Sequence, residues 1–334
     1  MPMLNIPLSN PSNNYSNLLP STLQPIYQSC IRNLSSGTLS TTVQLEPTEA
    51  NQRAVESVVE AVIYGCPEIF FIEQQIETSW MGDRLTIRFT NKYADENIRD
   101  LWDKLNTEVD RIAAIINKFE KPYDKLNRLN QYLCARVKPV SSSQGRFGDA
   151  YGALILKEAR CEGYAKAAKL IMDRCGLSGI IARGEAVSQE RREPHAWIIA
   201  ECDGNNYHFD FTWNAIKGLN GIPGVEYMFL DDETIGKEHF PSYAYPVCSD
   251  ATKMFWVVNN GIIKYHSDLS RIKIVPVKNN YIAVAKIPQK LSKYEVDNEV
   301  INWMINDLAA YSYGSSINFS YNEPLDLLVF YFLN

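Results

Sequence analysis

The sequence predicts an α+β fold: a helix bearing a cysteine, packed on an antiparallel sheet that bears a histidine and an aspartate, with further α+β segments on both sides. Three observations lead there. Between Glu158 and Cys175 the positions Ala165, Ala168, Met172 and Cys175 recur at helical spacing from Cys161. This puts the cysteine on the inward face of a buried helix, at the turn where backbone N–H groups lack partners. After Gly176 the period changes to that of strands, with short β-branched and aromatic runs at Ile180 to Ala186, His195 to Cys202 and Tyr207 to Trp213. Helical stripes and hairpin patterns alternate on either side. A chain of 334 residues, 46% hydrophobic and 22% charged, buries a sizeable core as one large domain or two smaller ones.

Residues 1–20 are rich in Asn, Ser and Pro and are expected to form a mobile arm, because they bury too little apolar surface to offset the entropy of ordering. An N-terminal α+β region spans 21–119. In it Thr41 to Leu45 reads as a strand, and Pro47 and a Thr48 cap open a helix with Val55, Val58, Val59 and Val62 on one face. Ile69 to Thr78 and Arg84 to Phe89 follow as strands joined at Met81-Gly82-Asp83. A long helix from Asp95 to Phe119 carries the stripe Ile98, Leu101, Leu105, Val109, Ile112, Ile116 and Phe119.

The central core spans 120–246. It comprises a helix from Tyr123 to Val137, a Ser- and Gly-rich loop from Pro139 to Asp149, the cysteine helix with Gly176 as its C-cap, and the three strands. The last two strands read as a hairpin through Asp203-Gly204-Asn205-Asn206. In the C-terminal α+β region, 247–334, Lys253 to Val258 with Ile262 to His266, and Arg271 to Val277 with Tyr281 to Ile287, read as two more hairpins. A helix from Ser292 to Tyr311 and strands at Ser316 to Tyr321 and Leu325 to Leu333 close the chain. Strand, proline, helix, strand, strand describes both 41–89 and 282–333. The two ends are therefore copies of one unit, partners in one sheet, or two unrelated α+β units.

A net charge of −6 without a long basic run is not the footprint of a nucleic-acid binder, so no nucleic acid is expected as partner. No run of eighteen apolar residues occurs, and the N-terminus lacks a basic-then-apolar leader. The expectation is therefore no membrane and a cytoplasmic location, with signal-independent export left open. Seven cysteines without a Cys-x-x-Cys pair argue against a disulfide framework or structural zinc, and four histidines without a His-x-x-x-His pair give a catalytic metal little support. No metal and no cofactor are expected.

The chemistry gathers on Cys161, His195 and Asp210. A helix N-terminus and a neighbouring imidazolium both favour thiolate over thiol, and the imidazole needs an acceptor on its far nitrogen. Parity tests whether His195 and Asp210 meet: a two- or four-residue loop within Asp203 to Asn206 places them on one face of the hairpin, offset by two to four residues. The Cys161 backbone N–H and one further donor, for which Tyr151 is a candidate, would hold an oxyanion. Glu162 is read as a helix-start interaction rather than a catalytic group. Trp197 and Trp213 are read as core or cleft-wall aromatics, and Glu190-Arg191-Arg192-Glu193 as a solvated loop or a border of the cleft. His208 is read as facing away from Asp210, and His239 is left unassigned.

Cys161-Glu162-Gly163-Tyr164-Ala165, then His195-Ala196-Trp197, then Asp210 with Thr212-Trp213, resembles the core of the transglutaminase-like superfamily, the papain-related Cys-His-Asp fold. The likeness runs back through Tyr151-Gly152-Ala153-Leu154 and forward through Tyr227-Met228-Phe229-Leu230 to His239. Ile198 after His-Ala-Trp and Asn214 after Thr-Trp depart from the bacterial pattern. The resemblance implies a nucleophile at Cys161, a general base and acid at His195, and an orienting residue at Asp210. It implies a thiol enzyme acting on amide bonds of a peptide, a protein or a small molecule through an acyl-thioester, as a peptidase or amide hydrolase. The alternatives are protein crosslinking or amine transfer, or a silent peptide-binding adaptor.

Overall fold

The computed structural model describes residues 4, 6–8, 15–142, 144–188, 191–264, 266–287, 302, 306 and 316–334, and it is a mixed α+β fold. The first helix, α1 (Gln24–Ser35), turns Ile26, Tyr27, Cys30, Ile31 and Leu34 inward. After β1 (Ser40–Gln44) comes α2 (Glu49–Gly65), opened by Thr48, whose side chain accepts the Asn51 backbone N–H. Val55, Val58, Val59 and Val62 are all buried. The hairpin β2 (Ile72–Met81) and β3 (Arg84–Asn91) joins β1 in an antiparallel sheet ordered β1-β3-β2. The next helix, α3 (Ile98–Ile116), is capped by Asn97 and buries Leu101, Leu105, Val109, Ile112 and Ile116. Phe119 lies past its end and is exposed. Within 1–20, Tyr15–Leu18 forms a 3-10 turn, and Ile6, Tyr15 and Leu19 are buried in the large core. These described apolar residues pack in the core although the average composition of 1–20 is polar.

Next, α4 (Pro122–Arg136) leads to a short parallel pair, β4 (Lys138–Pro139) and β5 (Glu158–Ala159), which brackets the loop before the cysteine. That loop is fastened from inside. Asp149 is fully buried, pairs with Lys92 at 2.8 Å, and accepts from the Gly152 N–H and the Tyr93 hydroxyl. Then come α5 (Cys161–Arg174), β6 (Gly179–Ser188), β7 (Arg191–Cys202), β8 (Asn205–Phe209), α6 (Phe211–Lys217), α7 (Asp232–Ile235) and β9 (His239–Pro241). The strands form an antiparallel sheet ordered β8-β7-β6-β9, and α5 packs across β7 and β6.

One expectation in this region is corrected. The strand expected to run to Trp213 stops at Phe209, because Asp210 caps α6 by accepting the Thr212 and Trp213 backbone N–H groups. The aromatic run Phe209 to Trp213 has strand composition, yet an aspartate that can cap the following turn wins locally. The hairpin turn is the two-residue Asp203-Gly204, with φ of 54° and 85°, which matches the twist of the flanking strands.

In the C-terminal part Lys253 to Val258 is not a strand: Phe255–Val258 forms the short helix α8, with Phe255 and Trp256 buried. Ile262 to His266 does not pair with it, and Ile262 makes only an isolated bridge to Lys286. Short apolar runs do not separate helix from strand by period, which explains the error. The strands β10 (Val275–Val277), β11 (Asn280–Lys286), β12 (Ser316–Asn322) and β13 (Leu327–Leu333) form a sheet ordered β10-β11-β13-β12. Leu327, Val329 and Tyr331 pack against Ile222, Tyr227 and Leu230 of the central core, and Leu328, Phe330 and Phe332 pack with Ile263 and Ile272 on the opposite face. A strand buried on both faces reads as an unbroken apolar run. The helix expected at Ser292 to Tyr311 lies outside the described residues except at 302 and 306. Among the described residues the two chain ends do not share a sheet. Each has the order first, third, second strand, all antiparallel. Among the described residues no helix is long and apolar enough to cross a membrane.

Candidate active site

Cys161 is the first residue of α5, partly exposed, and the side chain of the N-cap residue Arg160 makes no capping bond to the helix start. The approach to it is tight. Gly163 has the Phe147 carbonyl 2.6 Å and the Asp149 carbonyl 3.0 Å from where a Cβ would sit, so the end of that loop lies directly on the first turn of α5. Glu162 is held by a set of partners: it accepts from the Tyr64 hydroxyl at 2.6 Å and the Gln74 amide at 2.7 Å, and pairs with Arg160. Burial raises its pKa, but Lys166, Tyr64 and Arg160 together outweigh this and hold the carboxyl below its ordinary value. Glu162 thus ties α5 to α2 and β2.

His195 stands on β7 opposite Gly184 of β6, and Asp210 on the register extension opposite Trp197, so the two share one face offset by two residues. The His195 Nε2 bonds the Asp210 Oδ2 at 2.7 Å. With Nε2 taken, Nδ1 is the nitrogen left for the Cys161 thiol, whose hydrogen bond and charge act on the ring. Burial lowers the His195 pKa, but the Asp210 charge and hydrogen bond and the Cys161 side chain together push it up to about 10. Burial would raise Asp210, yet the His195 charge and the bonds from His195 and His239 hold it well below the usual carboxylate range. Both shifts favour the imidazolium–carboxylate form of the pair.

The structure thus brings the three sequence-predicted residues into one place. Tyr151 it does not: this ring stacks on Phe70 and meets Tyr93 in the core. His208 is also placed differently from its expectation. It faces the same side of the strand as Asp210, as residues two apart must, and it accepts the Trp197 indole N–H at 2.9 Å while bonding Asp232 at 2.8 Å. Trp197 lies nearly parallel to the His195 ring, and Trp213 packs on both His195 and His239, so both tryptophans wall the site. Asn214, a departure from the family pattern, is fully buried and bonds Asn130 and both backbone groups of Tyr227, which fixes α6 against the chain entering α7. Arg192 stacks on Phe240 and pairs with Glu185.

Sequence reasoning left His239 unassigned. It donates to the same Asp210 Oδ2 at 3.0 Å, from β9 on the far edge of the sheet. It is 29 residues from Asp210 with two strands between, so no local spacing could have joined them.

Among the described residues two clusters have the composition of metal sites, His195 with Asp210 and His239, and His208 with Asp232 and Cys248. Ring tautomers speak against both. The indole N–H is only a donor, so His208 Nδ1 must be its acceptor and the proton must sit on Nε2, the atom a metal would need. A metal on His239 Nε2 would move that proton to Nδ1, which is buried and has no acceptor.

No protein-family model matches the sequence, and no curated protein does. Part of the chain is similar to solved structures. One is a protein of Cytophaga hutchinsonii provisionally named a cysteine protease, at 15% identity and a TM-score of 0.29, over 41% of this chain and 61% of that one. Another is a TGase, at 12% identity and a TM-score of 0.30, over 52% of this chain and 51% of that one. A third is the periplasmic domain of TgpA from Pseudomonas aeruginosa bound to ethylmercury, at 15% identity and a TM-score of 0.26, over 40% of this chain and 57% of that one. These neighbours are of the transglutaminase-like kind. The chain spans less than two thirds of the length of each.

Proposed function

We propose that this chain is a transglutaminase-like thiol enzyme that breaks amide bonds through an acyl-thioester on Cys161. The observation that carries the reading is the division of the His195 ring: Nε2 is held by Asp210, which turns Nδ1 toward a thiol at a helix start. The Cys161 sulfur, having passed its proton to His195, attacks the amide carbonyl carbon, and the oxyanion that forms lies near the backbone N–H groups of the first turn of α5. The imidazolium of His195 gives its proton to the departing amine nitrogen as the C–N bond breaks, leaving the acyl group on sulfur. His195 then takes a proton from water, the hydroxide oxygen bonds the acyl carbon, and the C–S bond breaks to release the acid as His195 returns its proton to the sulfur. Asp210 keeps the proton-carrying ring oriented in both halves.

Water is the favoured acceptor, and the substrate class is a peptide or protein amide, or an amide-bearing small molecule. The test is incubation of the full chain with a peptide library and a fluorescent primary amine, followed by mass spectrometry of peptides and enzyme. The reading expects new peptide carboxylates and a hydroxylamine-labile adduct at Cys161 that is absent in Cys161→Ala. Incorporation of the amine would assign acyl transfer instead, and an unmodified Cys161 with unchanged peptides would leave a binding adaptor.

A further inference from the structure

We propose that His239 is a positioning residue of this site, a second, neutral imidazole that fixes the Asp210 carboxylate so that its charge serves His195 alone. The proposal rests on the catalytic reading above. Four donors saturate the carboxylate: the Thr212 and Trp213 backbone N–H groups on Oδ1, at 2.9 and 3.0 Å, and the His195 and His239 Nε2 atoms on Oδ2, at 2.7 and 3.0 Å. An ionised carboxylate accepts only, with about four lone-pair positions, so it cannot turn without losing a donor. Both rings must then carry their proton on Nε2.

What distinguishes the two rings is the other nitrogen. On His195, Nδ1 faces the thiol. On His239, which is fully buried, Nδ1 is buried and has no hydrogen-bond partner. A second proton there would be a buried donor without an acceptor on a buried cation, which is costly. The ring is enclosed by Trp213, Trp197, His195 and Tyr227, with centroids 4.5, 5.1, 5.3 and 6.0 Å away, and Asp210 is the acid it touches. Burial lowers its pKa, against the opposing pull of Asp210. His239 therefore adds a hydrogen bond to Asp210 without competing for its charge. Because it comes from β9, it also ties the carboxylate at the end of β8 to the opposite edge of the sheet.

The experiment measures the second-order rate of Cys161 carbamidomethylation by iodoacetamide at pH 7 in full-length variants. His239→Phe keeps an aromatic ring in the cage and removes the donor, while His239→Gln keeps an amide N–H that reaches Asp210. The expected result is a fall of about tenfold in His239→Phe and recovery to within about threefold of the parent in His239→Gln. In an Asp210→Asn background, His239→Phe should change the rate by less than about twofold, because the two residues act as one unit. A parent rate in His239→Phe, equal losses in both variants, or a full additional loss in the Asp210→Asn background would each overturn the proposal. If His239→Phe unfolds, proton NMR of the parent decides. Two hydrogen-bonded ring N–H resonances that vanish together in Asp210→Ala support the role, and a single such resonance overturns it. His195→Ala separates the two layers: if it does not slow labelling the catalytic reading itself falls, and if it does while His239→Phe does not, only the role of His239 falls.

Discussion

Asp210 serves two structures with one side chain. Its Oδ1 begins α6 and its Oδ2 holds two histidines, so the fold and the site share a carboxylate. Asparagine caps helices about as well as aspartate, whereas it cannot stabilise an imidazolium by charge. Asp210→Asn should therefore keep the fold, as read by circular dichroism, and lower turnover by up to ~10⁴-fold. The pair also sets a pH dependence of stability. His195 is raised to about 10, so the stability it contributes is complete below its unfolded value near ~6.5 and declines as pH rises from there toward about 10. Denaturant midpoints of the parent and His195→Gln should therefore converge between pH 6 and pH 10. At this scale much of the site was legible. Cys161, His195 and Asp210 each sit in a local pattern, and the two-residue turn at Asp203-Gly204 fixes the parity that brings the last two together. His239 was not legible, because its contact with Asp210 crosses the width of a sheet that no short-range signal encodes.

Among the elements, α5 depends on a close approach that glycine alone permits. The backbone carbonyls of Phe147 and Asp149 press on Gly163, and neither is the yielding end of a side chain. Gly163→Ala has to push the Asp149 loop off α5 and should cost about 1–3 kcal/mol despite the better helix propensity of alanine, with the Lys92–Asp149 pair loosened as well. Thermal denaturation of the variant measures it, and an unchanged or raised midpoint would show that the loop yields freely. Long elements with a clean period were legible: α2, α3, β11 and β13 fall where the apolar spacing puts them. The short apolar run at Phe255 was not, since four residues hold barely one turn of any period and local N–H bonding to Met254 and Phe255 decided the outcome. The strand that ended at Phe209 failed for the related reason that a cap outranked composition.

Across the molecule, the flanking parts reach the central core through polar contacts, part-buried or exposed on the N-terminal side and buried on the C-terminal side. On the N-terminal side these are Tyr64 and Gln74 on Glu162, beside the nucleophile. On the C-terminal side Asn322 of β12 donates to Glu226 and to the Tyr227 hydroxyl, which in turn bonds Glu238 next to His239. Glu226 Oε2 is buried without a hydrogen-bond partner, and burial raises its pKa above the ordinary 4.5 in spite of Lys217 and Asn322. The unfolded carboxyl ionises near 4.5 while the folded one holds its proton longer, so the folded state loses stability as pH rises above 4.5. Glu226→Gln keeps the acceptor for Asn322 and cannot ionise. Its melting midpoint should match the parent near pH 4 and exceed it by pH 7.5, and a parent that is the more stable at pH 7.5 would contradict this.

The seven cysteines give the most direct test of the central claim. Burial pushes the Cys30 and Cys175 thiols up to about 11 and Cys202 to about 12, and raises Cys134 and Cys248 further, so these stay thiols near neutrality. Cys161 alone has an imidazolium beside it and a helix start behind it. With limiting iodoacetamide at pH 7 and peptide mapping, Cys161 should carry nearly all of the label, and His195→Ala should abolish that preference. Label spread evenly over the seven, or a preference for Cys161 that survives loss of the imidazole, would contradict the account.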